Sequence, residues 1–172
     1  MTIERNGYLL REWRLSDAES LADNISNKKI WDNVRDGLPY PYTVTDAEAY
    51  ISFTRQQPCL LDFAIVVAGK AVGGVGISPR TDVERVSAEV GYWLGERYWG
   101  RGIVSDAVKA VAEYTFANTD ILRLFASVYE YNHASMRVLE KAGFTRLAIL
   151  HKAAIKNGTI VDMPYYELVK LE

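Results

Sequence analysis

The segment VSAEVGYWLGERYWGRGIVSDAV (residues 86–108) places a strand pattern, a glycine-containing loop and the first turns of a helix in direct succession. Residues 86–94 are typical of a β-strand. From residue 104 to residue 114, apolar residues recur at three- and four-residue spacing, which predicts an amphipathic helix over 103–118. A second strand pattern follows at 123–131. This order predicts a βαβ unit whose two strands are parallel neighbours.

The loop inside this segment has the properties of an anion-binding site. Gly100 and Gly102 allow the backbone to approach a ligand closely. The N–H groups and the dipole at the start of the following helix favour negative charge. Arg97 and Arg101 add two cations that suit phosphate oxygens. Together these features predict an anion site over residues 97–105.

Two nucleotide-binding loops are alternatives for this site. A P-loop is excluded, because the Gly69-Lys70 pair lacks both the earlier glycine and the following Ser or Thr of that motif. A dinucleotide fingerprint stays open as an alternative, with Glu130 as the ribose-binding acid. Against it, Ser105 replaces the third glycine, and residues 95–99 separate the strand from the loop where a tight turn is required.

The segments outside this unit alternate between strand and helix patterns. Strands are predicted over 7–14, 60–68 and 71–78 and in a final hairpin around Asn157-Gly158, and helices over 16–25, 27–34, 45–56 and 132–144. Candidate capping boxes pair Ser16 with Glu19 and Thr45 with Glu48. Because antiparallel hairpins accompany one parallel pair, a mixed sheet with helices on both faces is expected.

Composition narrows the class of protein. A chain of 172 residues suits one domain, 1–172, and a net charge of −2 argues against a nucleic-acid binder held by bulk charge. No long apolar run or signal-peptide pattern is visible, so neither a membrane span nor secretion is expected. Cys59 is the single cysteine, which excludes an internal disulfide and a cysteine-cluster zinc site and favours a cytoplasmic setting. We expect Cys59 to be a small core or edge residue, His133 and His151 to lie at the surface, and no metal to be bound.

The loop sequence RYWGRG (residues 97–102) fits the pattern Arg/Gln-x-x-Gly-x-Gly/Ala and resembles the acetyl-coenzyme A loop of the GNAT superfamily of N-acetyltransferases. The segment NHASMRVLEKAGF (132–144) resembles a second signature of that superfamily, and NGTIVDMPYYEL (157–168) is similar to its closing strand. The combination resembles the branch that acetylates the N-termini of ribosomal proteins. It implies a single-domain α/β (α+β) fold: a mixed, mostly antiparallel sheet of about seven strands with a central parallel pair, flanked by helices on both faces.

The resemblance also implies acetyl-coenzyme A as the cosubstrate. Its pyrophosphate is expected on the backbone of the loop, and its pantetheine along the backbone of the preceding strand. An N–H near Leu94 would hold the oxyanion that develops during acyl transfer. The residues expected to contact the coenzyme are Tyr92, Trp93, Leu94, Arg97, Trp99, Gly100, Arg101, Gly102, Ile103, Val104, Ser105, Asn132, Ser135 and Lys141.

Two side chains are candidates for proton transfer in the reaction that the resemblance implies. An acceptor amine is mostly protonated at neutral pH, so a carboxylate must remove its proton. Glu89 is the candidate base, and the alternative is a structural carboxylate. Ser135 is the candidate donor to the departing thiolate, because Leu139 stands where many relatives carry a tyrosine. The alternative for Ser135 is a helix serine that satisfies a backbone N–H.

The acceptor side is described only by aromatic residues, which suit an apolar pocket with polar tips. The candidates are Trp31, Tyr40, Tyr42 and Tyr165, and the alternative for each is a core position. A protein N-terminus, an antibiotic amine and a small metabolite all remain open as acceptors, as do a monomer and a homodimer. The alternatives to an enzyme of this class are a coenzyme A-binding sensor of the same fold and a dinucleotide-dependent oxidoreductase.

Overall fold

A computed structural model describes residues 2–57 and 61–171, so Cys59 lies outside the described residues. The chain divides into two compact units. The first contains the described residues up to Gly76 together with Tyr92–Ile103, and the second contains Ile77–Gly91 together with the described residues from Val104 onward. The assignment of residues 1–172 to a single domain therefore stays a prediction.

In the described ranges the chain forms five α-helices and eight β-strands. The helices are α1 (Ala18–Ile25), α2 (Lys28–Trp31), α3 (Val44–Arg55), α4 (Ile103–Asn118) and α5 (His133–Lys141). The strands are β1 (Thr2–Arg5), β2 (Tyr8–Glu12), β3 (Asp62–Val67), β4 (Lys70–Pro79), β5 (Ser87–Leu94), β6 (Arg123–Ser127), β7 (Thr145–Lys156) and β8 (Thr159–Val169). They form a mixed, mostly antiparallel sheet with one parallel pair, which confirms the predicted fold class.

The first unit contains one strand more than the sequence predicted. Its strands follow the order β1-β2-β3-β4, all antiparallel. Strand β1 forms a hairpin with β2 around Asn6 and Gly7, and Gly7 adopts the positive φ of 82° that the turn requires. The prediction of about seven strands began at residue 7 and missed this hairpin, because four residues are too few for a periodic signal.

The core of the first unit is formed by α1, α3 and the inner strands. Its buried residues include Trp13, Leu21, Ile51 and Ala64, with Trp93 packed against them. The capping of the helices differs from the prediction. Helix α3 begins after Thr43, whose hydroxyl accepts the Asp46 N–H, so the box predicted from Thr45 and Glu48 lies two residues too late. At the start of the first helical segment, the Asp17 carboxylate accepts the Arg14 N–H, where a box of Ser16 and Glu19 was expected.

The second unit contains the predicted βαβ unit. Its strands follow the order β5-β6-β8-β7, and β5 and β6 are parallel. Helix α4 has the predicted bounds. Strand β6 ends at Ser127, four residues earlier than predicted, because the chain turns where the Asn132 N–H donates to the carbonyl of Tyr129. At the β7–β8 turn, Asn157 and Gly158 have φ of 51° and 75°, as a type I′ turn requires.

Across residues 2–57 and 61–171, the helices are too short or too polar to cross a bilayer. No group of three His, Cys, Asp or Glu side chains in the same ranges is arranged to hold a metal ion.

Candidate active site

The loop between β5 and α4 is tied to the end of β5 by hydrogen bonds. A short 3-10 helix, Glu96–Tyr98, follows Gly95, and the Tyr98 N–H donates to the Gly95 carbonyl at 2.9 Å. The Trp99 indole Nε1–H donates to the Leu94 carbonyl at 2.7 Å. These bonds hold the glycine-containing part of the loop in a fixed place beyond the strand. Because Trp99 is 45% exposed, its role in the loop is this hydrogen bond rather than core packing.

Both loop glycines adopt the left-handed backbone conformation. Gly100 and Gly102 each have φ of 75°, a region that L side chains rarely occupy. No atom lies within 4 Å of the position that a Cβ would take at either residue, so the loop presents open backbone there. Helix α4 starts at the next residue, Ile103. A backbone of this shape, leading directly into a helix N-terminus, suits an anion.

The two loop arginines differ in how they are held. Both are exposed. Arg101 donates from Nη2 to the carbonyl of Arg97 at 3.0 Å, and its guanidinium lies 5.4 Å from the centre of the Tyr98 ring. The Arg97 guanidinium makes no hydrogen bond or ion pair within the part of the chain that the structure describes. Arg97 is therefore the loop cation available to an anionic ligand, and Arg101 mainly stabilises the loop.

Helix α2 supports the loop, which sequence reasoning did not find. Asn27 donates from Nδ2 to Glu96 Oε2 at 2.8 Å, and Lys29 forms an ion pair with Glu96. The hydrogen bonds from Lys29 and then from Asn27 lower the pKa of the Glu96 carboxyl. These partners lie 67 and 69 residues apart in the chain. No local pattern signals such a contact.

A groove in the first unit borders the loop. Its volume is about 1010 Å³, and its lining includes Asp23 and Asn24 of α1, Lys70 of β4, and Glu96 and Arg97 of the loop. Of the residues that the sequence singled out for a coenzyme, Arg97 is the one on this wall. The arginine thus faces a space large enough to admit a ligand.

Glu89 is the last residue of β5 that pairs with β6. The parallel ladder joins Ser87 to Arg123 at one end and Glu89 to Phe125 at the other. Strand β5 then continues to Leu94, so its backbone extends five residues beyond the ladder. Glu89 is half-buried at the point where the pairing stops. Such a position places a carboxylate beside backbone that is not used for pairing to β6.

The side chains at the end of β5 are packing groups. Trp93 packs against the core of the first unit, and Leu94 is 5% exposed. The sequence proposed that the backbone of this segment, and not its side chains, would meet a ligand. That assignment stays a prediction.

Asn132 and Ser135 lie at the start of α5. The side-chain oxygen of Asn132 accepts the backbone N–H of Ser135 at 3.1 Å and caps the helix. The cap uses the Ser135 backbone and not its hydroxyl. Leu139, which stands where a tyrosine donor was considered, has no exposed surface and is a core residue. Lys141 is exposed in the last turn of the helix.

The acceptor-side aromatic residues of the first unit fall into two classes. Trp31 and Tyr40 form a pair with ring centres 5.8 Å apart, and the Trp31 indole donates to the carbonyl of Leu38 at 2.9 Å. Tyr40 is 45% exposed, so this pair is accessible. Tyr42 is only 8% exposed, and burial raises its pKa to about 12. Tyr42 is thus part of the core rather than the wall of an open pocket.

In the second unit, Tyr165 is half-buried in a polar and aromatic cluster. Its ring stacks on Phe125 with centres 5.7 Å apart, and its hydroxyl accepts a hydrogen bond from Arg123 at 3.1 Å. Arg123 also donates to Glu167 at 2.7 Å. His151, expected at the surface, is exposed and lies with Nδ1 2.7 Å from Asp162 Oδ2.

The chain was compared with known proteins. Residues 8–145 match the profile of the acetyltransferase (GNAT) domain. The chain is 30% identical over 112 residues to the uncharacterized N-acetyltransferase p20 of Bacillus licheniformis, which covers 64% of this chain and 62% of the relative. It is 27% identical over 104 residues to the ribosomal-protein-serine acetyltransferase of Escherichia coli (strain K12), and this match covers 60% of this chain and 58% of the relative. The chain thus spans less than two thirds of these relatives.

A solved structure shares the fold along almost the whole chain. It is described as RimL, a ribosomal L7/L12 α-N-protein acetyltransferase, in complex with coenzyme A. The TM-score is 0.85 at 20% sequence identity, and the match covers 98% of both chains.

Proposed function

The chain belongs to the acetyltransferase (GNAT) domain family, and on that premise we propose that it transfers an acetyl group from acetyl-coenzyme A to a primary amine. The observation that carries this proposal is the loop after β5. It combines two glycines in the left-handed conformation, a helix that begins at once, and the accessible cation of Arg97. A pyrophosphate requires this combination of open backbone and positive charge.

The proposed reaction is a direct attack in a ternary complex. Glu89 accepts a proton from the acceptor ammonium, directly or through one water. The neutral amine nitrogen then forms a bond to the acetyl carbonyl carbon, and a backbone N–H near Leu94 stabilises the oxyanion. The carbon–sulfur bond breaks, and the coenzyme thiolate takes a proton from Ser135 while the second amine proton passes through water to the Ser135 oxygen. Glu89 then gives its proton to solvent. The products are an amide and coenzyme A.

The proposed acceptor is the α-amine of a protein N-terminus. Two of the similar proteins are named as acetyltransferases of ribosomal proteins. The accessible Trp31–Tyr40 pair offers an apolar surface with polar edges that suits a peptide. A free α-amine also has a pKa of about 8, which makes its deprotonation easier than that of a lysine side chain.

Calorimetry and a thiol-release assay test this function together. Acetyl-coenzyme A is expected to bind, and NAD is not. With the coenzyme present, peptides with a free N-terminus are expected to release thiol, and the same peptides with a blocked N-terminus are not. Binding of NAD without binding of acetyl-coenzyme A would contradict the proposal in favour of an oxidoreductase. Coenzyme binding without turnover of any amine would favour a sensor.

Gly102→Ala is expected to weaken acetyl-coenzyme A binding about tenfold, because alanine resists the left-handed conformation and the loop backbone must change. The matched control is Gly7→Ala. Gly7 also has positive φ and open space around its Cβ position, but it lies in the β1–β2 turn. Calorimetry measures both variants. Equal acetyl-coenzyme A affinity in the two variants would show that the loop does not contribute to coenzyme binding.

Ser135→Ala is expected to lower kcat about ten- to a hundredfold, because the thiolate would leave without its proton donor. The α5 cap is expected to survive, since it uses the backbone N–H of Ser135. Ser135→Thr keeps a hydroxyl and serves as the control. The measurement is the steady-state rate together with the melting temperature. An unchanged kcat in the alanine variant would assign Ser135 a structural role.

A further inference from the structure

Asp62, the first residue of β3, is a partly buried carboxylate without a cationic partner among the described residues. The Tyr50 hydroxyl of α3 donates to its Oδ1 at 3.2 Å. Over residues 2–57 and 61–171 the structure shows no ion pair to Asp62. Removing a carboxylate from water without a counter-ion is unfavourable, so a cation placed there would be stabilised.

The neighbouring strand is shaped to make room for this carboxylate. Gly76 of β4 pairs with Asp62, and a Cβ at position 76 would collide with Asp62 Oδ1. Two residues earlier, a Cβ at Gly74 would lie 3.0 Å from Trp13 Cζ2 and 3.1 Å from Trp93 Nε1. Because β4 has no side chains at Gly74 and Gly76, the Asp62 carboxylate and the indole rings of Trp13 and Trp93 lie close to its backbone.

The acid has aromatic neighbours, because Tyr50 donates to it and the Tyr50 ring in turn contacts Trp13. Trp13 and Tyr50 meet edge to face, with ring centres 5.8 Å apart. Trp13 is 1% exposed, and its buried Nε1–H forms no hydrogen bond of normal geometry within the described part of the chain. A carboxylate next to aromatic faces is the combination that binds ammonium groups, since the charge pairs with the acid and the rings attract the cation.

We infer that Asp62, with the Tyr50 hydroxyl that donates to it, binds an ammonium group of the acceptor. This inference rests on the proposed function for the identity of the ligand as an acceptor. The chemical class is a primary ammonium ion. A neutral alcohol of equal size lacks the charge that the carboxylate selects. Asp62 recognises the cation without a proton transfer, and the base proposed above removes the proton in a later step.

The energetics of Asp62 agree with a binding role. Burial raises the pKa of its carboxyl above the ordinary value of 3.8, although the Tyr50 hydrogen bond acts in the opposite direction. Burial and the neighbouring acid in turn raise the pKa of Tyr50, so the hydroxyl stays a neutral donor. A carboxyl with a raised folded-state pKa binds its proton more tightly when folded. Stability therefore falls as the pH rises through that pKa, and Asp62→Asn is expected to melt no lower than the wild type at pH 7.

The experiment is a titration of the whole protein with ethylammonium chloride, followed by tryptophan fluorescence. The wild type is expected to show a saturable change, and potassium chloride and ethanol are not. Asp62→Asn is expected to weaken the apparent affinity about tenfold or more. Glu48→Gln, which removes an exposed carboxylate from α3, is the matched control and is expected to leave the affinity unchanged. Gly76→Ala, which displaces the Asp62 carboxylate while keeping its charge, is expected to weaken binding as well.

Each outcome decides the inference. A wild type without a saturable response to ethylammonium overturns it, and so does an Asp62→Asn variant that keeps the wild-type affinity. A lower melting temperature in Asp62→Asn would assign the residue a structural role, and Gly76→Ala then tests the site without removing the acid. Acetyl-coenzyme A titrations of the same proteins separate the two proposals. If the wild type binds acetyl-coenzyme A but not ethylammonium, only the Asp62 site is contradicted. If the wild type does not bind acetyl-coenzyme A, the proposed function is contradicted.

Discussion

Glu89→Gln is expected to lower kcat for amine acetylation by about two to four orders of magnitude, because the acceptor ammonium would have no base to accept its proton. Glutamine has the same size and keeps a hydrogen-bonding side chain at the end of the β5–β6 ladder, so the strand pairing is expected to persist. Acetyl-coenzyme A affinity is expected to stay within about twofold of the wild type, because the Glu89 carboxylate is proposed to contact the acceptor amine and not the coenzyme.

The pH profile distinguishes a base from a structural acid. If Glu89 removes the proton, the residual rate of the variant is expected to rise with pH until the amine deprotonates without help. Glu84→Gln is the control, because Glu84 is an exposed acid in the short 3-10 helix Asp82–Glu84 of the same unit. Steady-state kinetics from pH 6 to about pH 10 give the answer. An unchanged kcat and pH profile in Glu89→Gln would rule out the proposed role.

Asp17→Asn is expected to destabilise the protein by about 3–5 kcal/mol, because it leaves a buried guanidinium without its counter-ion. Arg11 and Asp17 form a bidentate pair, with Nη1–Oδ2 of 2.6 Å and Nη2–Oδ1 of 2.8 Å. Their side chains are only 8% and 6% exposed. Asp17 also accepts the Arg14 N–H and so fixes the entry into α1. Urea denaturation measures the loss. A change below about 1 kcal/mol would show that the pair is dispensable.

The same carboxylate predicts how stability depends on pH. Burial acts to raise the pKa of Asp17, but the hydrogen bonds from the Arg11 side chain and the Arg14 backbone outweigh it, and the pKa lies below 3.8. A group with a lowered folded-state pKa contributes stability above its unfolded value and loses it as the pH falls through the folded value. The wild type is therefore expected to lose this contribution below about pH 4, and Asp17→Asn is expected to lack that part of the acid dependence. A double variant, Arg11→Met with Asp17→Leu, is expected to recover most of the stability.

The elements that the sequence predicted correctly depend on neighbours in the chain. Helix α4 has its predicted bounds because its apolar residues repeat along one face. Positive φ values occur at Asn157 and Gly158 in the turn and at Gly100 and Gly102 in the loop. Few other residues tolerate this conformation, so these residue types predicted the turn and the loop. In each case the signal lies within a few residues of the feature.

The elements that were missed depend on distant partners or on weak local signals. The first strand, Thr2–Arg5, is too short to show a period, and it forms because β2 provides a hydrogen-bonding edge. The α3 cap lies at Thr43, where Thr43 and Asp46 form a capping box two residues before the predicted one. Tyr42 was a candidate for the acceptor pocket because the resemblance places the acceptor beside the early helices, with a core position as the alternative, and the fold buries it.

By itself, the sequence determined the family, the glycine loop and the helix that follows it, since the backbone preferences that create them act along a short stretch of chain. Only the tertiary structure decided which charges are paired and which are left for a ligand. Arg11 is neutralised by Asp17, and Glu96 by Lys29, whereas Asp62 accepts a hydrogen bond from Tyr50 and has no ion pair within residues 2–57 and 61–171. The physical reason is that the free energy of a charge depends on burial and on partners brought from far along the chain, which no local pattern encodes.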